Sequence, residues 1–124
     1  MELSNGIDII DVSRIKNAIE NINNFKNQIF SQKEILYCEN KKSKYQSYSV
    51  RFAAKEAFLK AIGTGWGRGI SWTDIEILND DSGKPFIILY NAAKEIFEQN
   101  GFKNISVSLS HTENTAIASV ILSN

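Results

Sequence analysis

Two acidic residues stand in apolar segments where a carboxylate needs a partner. Glu56 lies in the segment Val50–Ile62, which has strong helical character and is apolar on nearly every side, and such a helix is usually buried. Asp8 stands among isoleucines in a short strand-like segment, where aspartate is disfavoured. A buried carboxylate is costly unless it is paired or bound to a metal ion. Two oxygen ligands from separate segments suit Mg²⁺, which takes one or two carboxylates together with substrate phosphates.

Both carboxylates also have simpler explanations. Glu56 can pair with Lys60, which follows four residues later in the favourable direction for a helical ion pair. Asp8 can cap a nearby backbone group, as aspartate often does in turns. The cations Arg51, Lys55 and Lys60 outnumber the one carboxylate of their helix. Either an anionic ligand or a solvated helix edge accounts for that surplus.

Other chemistry-bearing features of the sequence are weaker. The glycine-rich loop Gly63–Gly69 follows a helix and lacks Gly-Lys-Ser/Thr, so it is a poor match to a phosphate-binding loop. Gly63 and Gly65 more simply supply unusual backbone dihedrals. His111 stands where a strand meets a turn, and a lone histidine is more often a surface or hydrogen-bonding residue than a catalyst. The single cysteine, Cys38, excludes an internal disulfide and a multi-cysteine zinc site.

The elements that carry these residues are predicted from apolar periodicity, capping signals and turn residues. One such signal is Ser31-Gln-Lys-Glu34, a capping box that predicts the start of a helix. Helices cluster early and antiparallel strands late, which is typical of an α+β fold. The predicted elements, in chain order, are a strand at 6–11, helices at 12–22 and 31–40, a break at 45–49, a helix at 50–62, strands at 74–78 and 86–90, a helix at 92–100, and strands at 105–110 and 116–122.

Apolar spacing also predicts which faces of these elements are buried. In the first helix, Ile15, Ala18, Ile19 and Ile22 recur at helical spacing and should turn toward the core. The strand at 105–110 alternates strictly, so its aliphatic residues should face inward and its three serines outward.

Composition limits the class of protein. The 124 residues are expected to form one domain, 1–124, and 43% hydrophobic with 23% charged residues fits an ordered globular chain. Fourteen basic and fourteen acidic residues cancel, so no overall basic character favours nucleic-acid binding. We expect no membrane span, because no apolar stretch reaches about 18 residues. We also expect no signal peptide, which makes the cytoplasm the expected compartment.

Four motifs together resemble the holo-acyl-carrier-protein synthases, small 4′-phosphopantetheinyl transferases. They extend over essentially the whole chain, and the central one, with its Lys-Glu-Ala and following Lys-Ala, is too long to arise readily by chance. In chain order the motifs are Gly6-Ile-Asp8 followed by Arg14-Ile15, then Phe52-Ala-Ala-Lys-Glu-Ala-Phe-Leu-Lys-Ala-Ile-Gly-Thr-Gly65, then Gly83-Lys-Pro85, and Ser108-Leu-Ser-His-Thr112.

The resemblance implies an α+β homotrimer with active sites at the subunit interfaces. It implies transfer of 4′-phosphopantetheine from coenzyme A to a serine of an apo acyl carrier protein, with release of adenosine 3′,5′-bisphosphate. Asp8, Glu56 and Lys60 would be the catalytic residues. Asp8 and Glu56 would bind Mg²⁺, which bridges the diphosphate and neutralises charge as the phosphoanhydride breaks, while Lys60 binds the same phosphates.

The resemblance also implies contacts to the rest of coenzyme A. Arg51, His111 and Thr112 would contact the 3′-phosphate, and the segment Gly83–Pro85 would lie along the adenine. The surplus cations of the central helix would thus face a ligand with several negative charges. The predicted coenzyme-binding set is Arg51, Lys55, Lys60, Gly63, Gly83, Lys84, Pro85, His111 and Thr112.

Arg14 resembles the arginine by which this family grips the acidic carrier protein. Family members often add further arginines to the first helix, whereas this chain has mainly Asn and Gln there with Lys16 and Lys26, so carrier binding should be less electrostatic. The base for the serine hydroxyl stays open between Glu56 and a metal-bound water held by Asp8. Rival hypotheses are hydrolysis of a nucleotide diphosphate and a coenzyme A-binding module without transfer activity.

Overall fold

The structure of the chain, a computed structural model, describes residues 2–124. Its helices and strands follow the predicted order, with one short helix and one 3₁₀ turn added. In chain order they are β1 (Leu3–Asp11), α1 (Val12–Asn21), α2 (Phe25–Ile29), α3 (Gln32–Glu39), α4 (Lys44–Ile62), a 3₁₀ turn (Trp72–Asp74), β2 (Ile75–Asn79), β3 (Pro85–Leu89), α5 (Asn91–Gln99), β4 (Asn104–His111) and β5 (Thr115–Ser123).

The strands form two antiparallel sheets. One has three strands in the order β1-β5-β4, and the other is the β2–β3 hairpin. Helix α4 packs against β1 and β5 of the larger sheet, and most of its side chains are buried. None of the helices within residues 2–124 is long and apolar enough to cross a membrane.

Helix α4 is longer than predicted. The break predicted at 45–49 is wrong, because the helix begins at Lys44 and continues without interruption for 19 residues. Tyr48 and Ser49 are buried in it, and the Ser49 hydroxyl donates to the Tyr45 carbonyl one turn earlier. Burial, which includes contact of the Tyr48 ring with Phe30, therefore overrides the weak helix propensity of this serine- and tyrosine-rich segment. The end at Gly63 was predicted correctly: Gly63 has φ 81°, and its N–H donates to the Leu59 carbonyl.

The first helical region differs from prediction at its end. Helix α1 stops at Asn21, so Ile22 adopts an extended conformation and its side chain is 56% exposed. The predicted burial of Ile22 is therefore wrong, whereas Ile15 is buried as expected. Helix α2 was not predicted; it begins after Asn24, whose left-handed φ of 63° asparagine tolerates better than most residues.

A glycine brings β1 against α4. A side-chain carbon on Gly6 would overlap the carbonyl oxygen of Ala57, so the strand can approach the helix backbone only because this position has no side chain. Asp8 lies two residues further along, on the same face of β1 as Gly6. This close approach directs Asp8 toward α4.

Candidate active site

Asp8 and Lys60 form the exposed edge of the site. The Lys60 Nζ lies 3.1 Å from Asp8 Oδ1 and 3.0 Å from the carbonyl oxygen of Ile7. The Lys60 side chain is 57% exposed and the Asp8 side chain 17%. The helical pair of Lys60 with Glu56, considered above as the simpler alternative, is not formed. Lys60 instead joins α4 to β1.

Glu56 is a partly buried carboxylate on the same side of α4, one turn before Lys60. Within residues 2–124 no cation lies within ion-pair distance of it. Burial raises the pKa of Glu56, and the nearby carboxylate of Asp8 raises it further. Arg14, Lys60 and the indole N–H of Trp66 act in the opposite direction. Glu56 is thus destabilised in its ionised form, a condition that a bound cation would relieve.

The donor set suits a hard divalent cation bound together with a ligand. Two carboxylates, Asp8 and Glu56, lie close enough to repel one another, and no cluster of three metal-binding side chains occurs in the described part of the chain. Mg²⁺ is commonly held by one or two carboxylates and completes its shell with water and phosphate oxygens. The residues therefore fit Mg²⁺ bound at a phosphate-bearing substrate.

Lys55 does not belong to this site, and the prediction that it binds coenzyme A is corrected. Its side chain is fully buried, with Nζ 3.0 Å from Glu34 Oε1 and 3.0 Å from the carbonyl oxygen of Trp72. A third bond goes to the carbonyl of Ile75. Burial lowers the pKa of the Lys55 ammonium, and Glu34 opposes this effect. All three donors of the ammonium are used inside the protein, so none is free for a ligand.

Arg51 is also an internal residue, only 2% exposed. Its guanidinium donates to Ser47 and to the side-chain oxygen of Asn79. The amide of Asn79 in turn donates to the carbonyl oxygen of Gly83, at 2.9 Å. The structure thus links Arg51 to the turn that carries Gly83, but a ligand could reach the guanidinium only if these side chains moved.

The turn between β2 and β3 presents Gly83 and Lys84, and Pro85 is the first residue of β3. The Asp80 carboxylate accepts bonds from the N–H of Ser82 and of Lys84, at 2.9 Å and 3.0 Å, which holds the turn closed. Gly83 has φ 90°, a conformation that favours glycine. The place of this turn, between the strands predicted at 74–78 and 86–90, is confirmed.

His111 and Thr112 lie at the exposed end of β4. The ring nitrogen Nδ1 of His111 lies 3.1 Å from the carbonyl oxygen of Thr112, and the Thr112 hydroxyl accepts the N–H of Thr115 at 3.1 Å. In the register of the sheet His111 faces Ala116, and Asp8 faces Ala118. No hydrogen bond or ion pair within residues 2–124 joins His111 to Asp8, Glu56 or Lys60.

Two residues that shape the site were missed from the sequence. Glu34 was recognised only as part of the capping box with Ser31, which is formed, and its bond to Lys55 was not anticipated. The surplus of cations on α4 was the available signal that a buried acid lay elsewhere. Trp66 gave no signal in the sequence, because only the glycines of its loop match a recognisable pattern.

Comparison with known proteins identifies the family of the chain. The model of the 4′-phosphopantetheinyl transferase superfamily matches residues 4–120. A holo-[acyl-carrier-protein] synthase of Ruminiclostridium cellulolyticum is 50% identical over 125 residues, covering 99% of this chain and 93% of the relative. The crystal structure of the Helicobacter pylori holo-[acyl-carrier-protein] synthase in complex with coenzyme A matches with a TM-score of 0.84 and 33% identity, covering 96% of this chain and 99% of that one. The Bacillus anthracis synthase in complex with CoA (3′,5′-ADP) matches with a TM-score of 0.80 and 35% identity, covering 98% and 96%.

The chain belongs to the 4′-phosphopantetheinyl transferase superfamily. The resemblance to the holo-[acyl-carrier-protein] synthases found in its motifs is confirmed, as are the α+β fold and the prediction that the chain is an enzyme.

The contrast between Lys55 and Lys60 can be tested by replacing each with methionine. Lys55→Met should lower the free energy of unfolding by about 3–5 kcal/mol, because it leaves Glu34 charged and unpaired in the core. Lys60 lies on the same helix, but Lys60→Met breaks only an exposed ion pair. It should therefore lower the free energy of unfolding by no more than about 1 kcal/mol. Urea unfolding at one fixed protein concentration measures both. Equal losses in the two variants would contradict the structural role of Lys55.

Proposed function

We propose that this chain transfers the 4′-phosphopantetheine of coenzyme A to a serine of an apo acyl carrier protein, with Mg²⁺, and releases adenosine 3′,5′-bisphosphate. The observation that carries the proposal is the cluster of Asp8, Glu56 and Lys60 at the accessible edge of α4. The two carboxylates there are too few to complete the coordination of a cation, which leaves positions for water and phosphate oxygens. The relatives named as holo-[acyl-carrier-protein] synthases, two of them solved with coenzyme A, support the choice of substrates.

In this proposal each residue of the cluster has a separate role. Asp8 and Glu56 would hold Mg²⁺, which supplies charge neutralisation at the diphosphate of coenzyme A. Lys60, whose side chain is mostly exposed, would leave Asp8 and donate to a phosphate oxygen. Glu56, whose pKa is raised, is one candidate to accept the serine proton.

The transfer step balances without a further reactant. The serine oxygen of the carrier forms a bond to the β-phosphorus, and the bond from that phosphorus to the oxygen of adenosine 3′,5′-bisphosphate breaks. The serine proton passes to the base.

Gly83, Lys84 and Pro85 would line the adenine, His111 and Thr112 would bind the 3′-phosphate, and Gly63 would lie along the ligand beside Lys60. Arg51 would contact the 3′-phosphate only if its guanidinium gave up its hydrogen bonds to Ser47 and Asn79.

The direct test is incubation with coenzyme A, Mg²⁺ and an apo acyl carrier protein, followed by mass spectrometry of the carrier. Transfer adds the phosphopantetheine group, ~340 Da. Excess EDTA should abolish transfer, and Glu56→Gln should remove nearly all of it because one cation ligand is lost. Glu95→Gln, an exposed change on α5, is the matched control and should retain activity.

The same assay separates the rival functions. A hydrolase would release pantetheine phosphate without changing the mass of the carrier, and a binding module would do neither. Full transfer in excess EDTA would contradict the role proposed for Mg²⁺, whereas no transfer to any acyl carrier protein would contradict the proposed function itself.

Arg14 is proposed as the contact to the carrier protein. Its guanidinium lies 5.6 Å from the centre of the Phe52 ring, beside a surface cavity of about 440 Å³. Ile15, Ala18, Ile22 and Phe25 also line this cavity. A cation at the rim of an apolar groove suits an acidic helix that also carries apolar side chains.

Arg14→Ala should raise the apparent KM for the carrier several-fold and leave the KM for coenzyme A unchanged. The reason is that rim charge pairs act mainly on association and are worth about 1 kcal/mol each. Steady-state kinetics with each substrate varied in turn measure the effect, with the exposed Lys94→Ala as control. A rise confined to the KM for coenzyme A would assign Arg14 to the nucleotide site instead.

We also propose that the chain assembles as a homotrimer. The outer face of the three-stranded sheet supports this, because Leu3, Ile7, Ile9 and Ile121 are 63%, 57%, 66% and 44% exposed there. The serines of β4 lie on the same outer face. An apolar patch of this kind commonly marks a protein–protein interface.

Ile9→Lys should therefore dissociate the assembly, because it buries a charge in the proposed interface. Leu36→Lys is the matched control, since Leu36 is an equally exposed aliphatic residue, at 68%, on α3. Light scattering at micromolar concentration should give a trimer for the parent chain and for Leu36→Lys, and a smaller species for Ile9→Lys. A monomeric, fully active parent chain would contradict the proposal.

A further inference from the structure

Trp66 carries a buried hydrogen-bond donor without an acceptor. Its Nε1 is inaccessible to solvent and makes no hydrogen bond of normal geometry to any residue in the range 2–124. Buried donors of this kind are rare in native proteins, and leaving one unpaired costs about 1–3 kcal/mol. The donor therefore needs an acceptor close by.

A candidate acceptor is the carboxylate of Glu56, which lies on α4 one turn after Phe52, a member of the same aromatic stack as Trp66. This group lacks a cation within ion-pair distance and receives no hydrogen bond of normal geometry in the described part of the chain. The indole N–H of Trp66 is nevertheless near enough to lower the pKa of Glu56, against the effect of burial. The indole N–H of Trp66, which has no acceptor within residues 2–124, and the carboxylate of Glu56, which has no donor there, therefore belong to one cluster of side chains.

Aromatic stacking fixes the indole in this place. The ring centres of Trp66 and Trp72 are 3.9 Å apart, and Trp72 stacks on Phe52 with ring centres 4.8 Å apart. Phe52 stands on α4 one turn before Glu56, so the stack ties the loop to the helix that carries the carboxylate. Gly65 and Gly67 flank Trp66 with φ 64° and 124°, conformations that allow the loop to fold back over α4.

We propose that Trp66 is a positioning residue, whose indole N–H donates a hydrogen bond to the Glu56 carboxylate and orients it toward a divalent cation. This inference rests on the proposed function, in which Asp8 and Glu56 hold that cation. A carboxylate has about four acceptor positions, so one bond from Trp66 leaves the others for a cation. Hydrogen-bond donors to metal-binding carboxylates restrict their orientation, and losing one typically weakens metal binding about 10–100-fold.

The hydrogen bond can be observed directly by ¹H–¹⁵N NMR of the full-length protein without metal. The chain has two tryptophans, so Trp66→Phe and Trp72→Phe assign the two indole N–H signals. Glu56→Gln should shift the Trp66 signal and leave the Trp72 signal in place, while the distant Glu95→Gln should shift neither. The proposal is overturned if Glu56→Gln leaves the Trp66 signal unmoved.

The consequence for cation binding is measured with Mn²⁺ alone, by electron paramagnetic resonance and without coenzyme A. Trp66→Phe keeps an aromatic ring but loses the N–H, and should raise the Kd for Mn²⁺ about 10-fold or more. Trp72→Phe, the matched change in the same stack, should leave the Kd unchanged. Equal weakening in both variants would mean that the stack matters and the N–H does not.

Glu56→Gln separates this inference from the function on which it rests. If Glu56→Gln leaves Mn²⁺ binding intact, the proposed cation site is wrong and the role of Trp66 falls with it. If Glu56→Gln weakens Mn²⁺ binding and Trp66→Phe does not, the cation site stands and only the role of Trp66 is overturned.

Discussion

The buried ion pair between Glu34 and Lys55 holds together the elements on which the site depends. Glu34 belongs to α3 and Lys55 to α4, and neither side chain is exposed. A second oxygen of Glu34 accepts the backbone N–H of Ile77 in β2, at 3.0 Å, and Lys55 donates to backbone carbonyls of the 3₁₀ turn and β2. Two charges in a core are tolerable only when their hydrogen bonds are satisfied, so these elements have little freedom to shift against one another.

This constraint fixes the rotation of α4 and with it the direction of Glu56. With Lys55 directed into the core, the next residue is turned by about 100° around the helix, toward the side where β1 passes. Gly6 lets β1 approach α4 closely enough for Asp8 to reach that side. The position of the two carboxylates therefore follows from one buried ion pair and one missing side chain.

The sequence predicted the residues whose role depends on neighbours in the chain, and it failed for residues whose role depends on a distant partner. The end of α4 at Gly63 and the turn at Gly83 were predicted because local backbone conformation decides them. Lys55 was assigned to the ligand because a helix apolar on every side does not tell which of its lysines points inward. Only a partner distant in the chain decides that, and the capping box gave Glu34 a complete explanation without Lys55.

Charged residues of the same type differ here in whether they find hydrogen-bond and ion-pair partners inside the fold. We use this difference to separate structural residues from candidate functional ones. Glu34 and Lys55 find every partner inside the fold, so their charges serve stability. Burial and the nearby Asp8 carboxylate raise the pKa of Glu56, and Lys60 remains mostly exposed in a pair that costs little to break. In the proposed function, a cation and an anionic substrate would supply the partners that these groups lack in the free protein. The same criterion brings in Trp66, whose buried N–H has no acceptor within residues 2–124 and acts on the pKa of the Glu56 carboxylate.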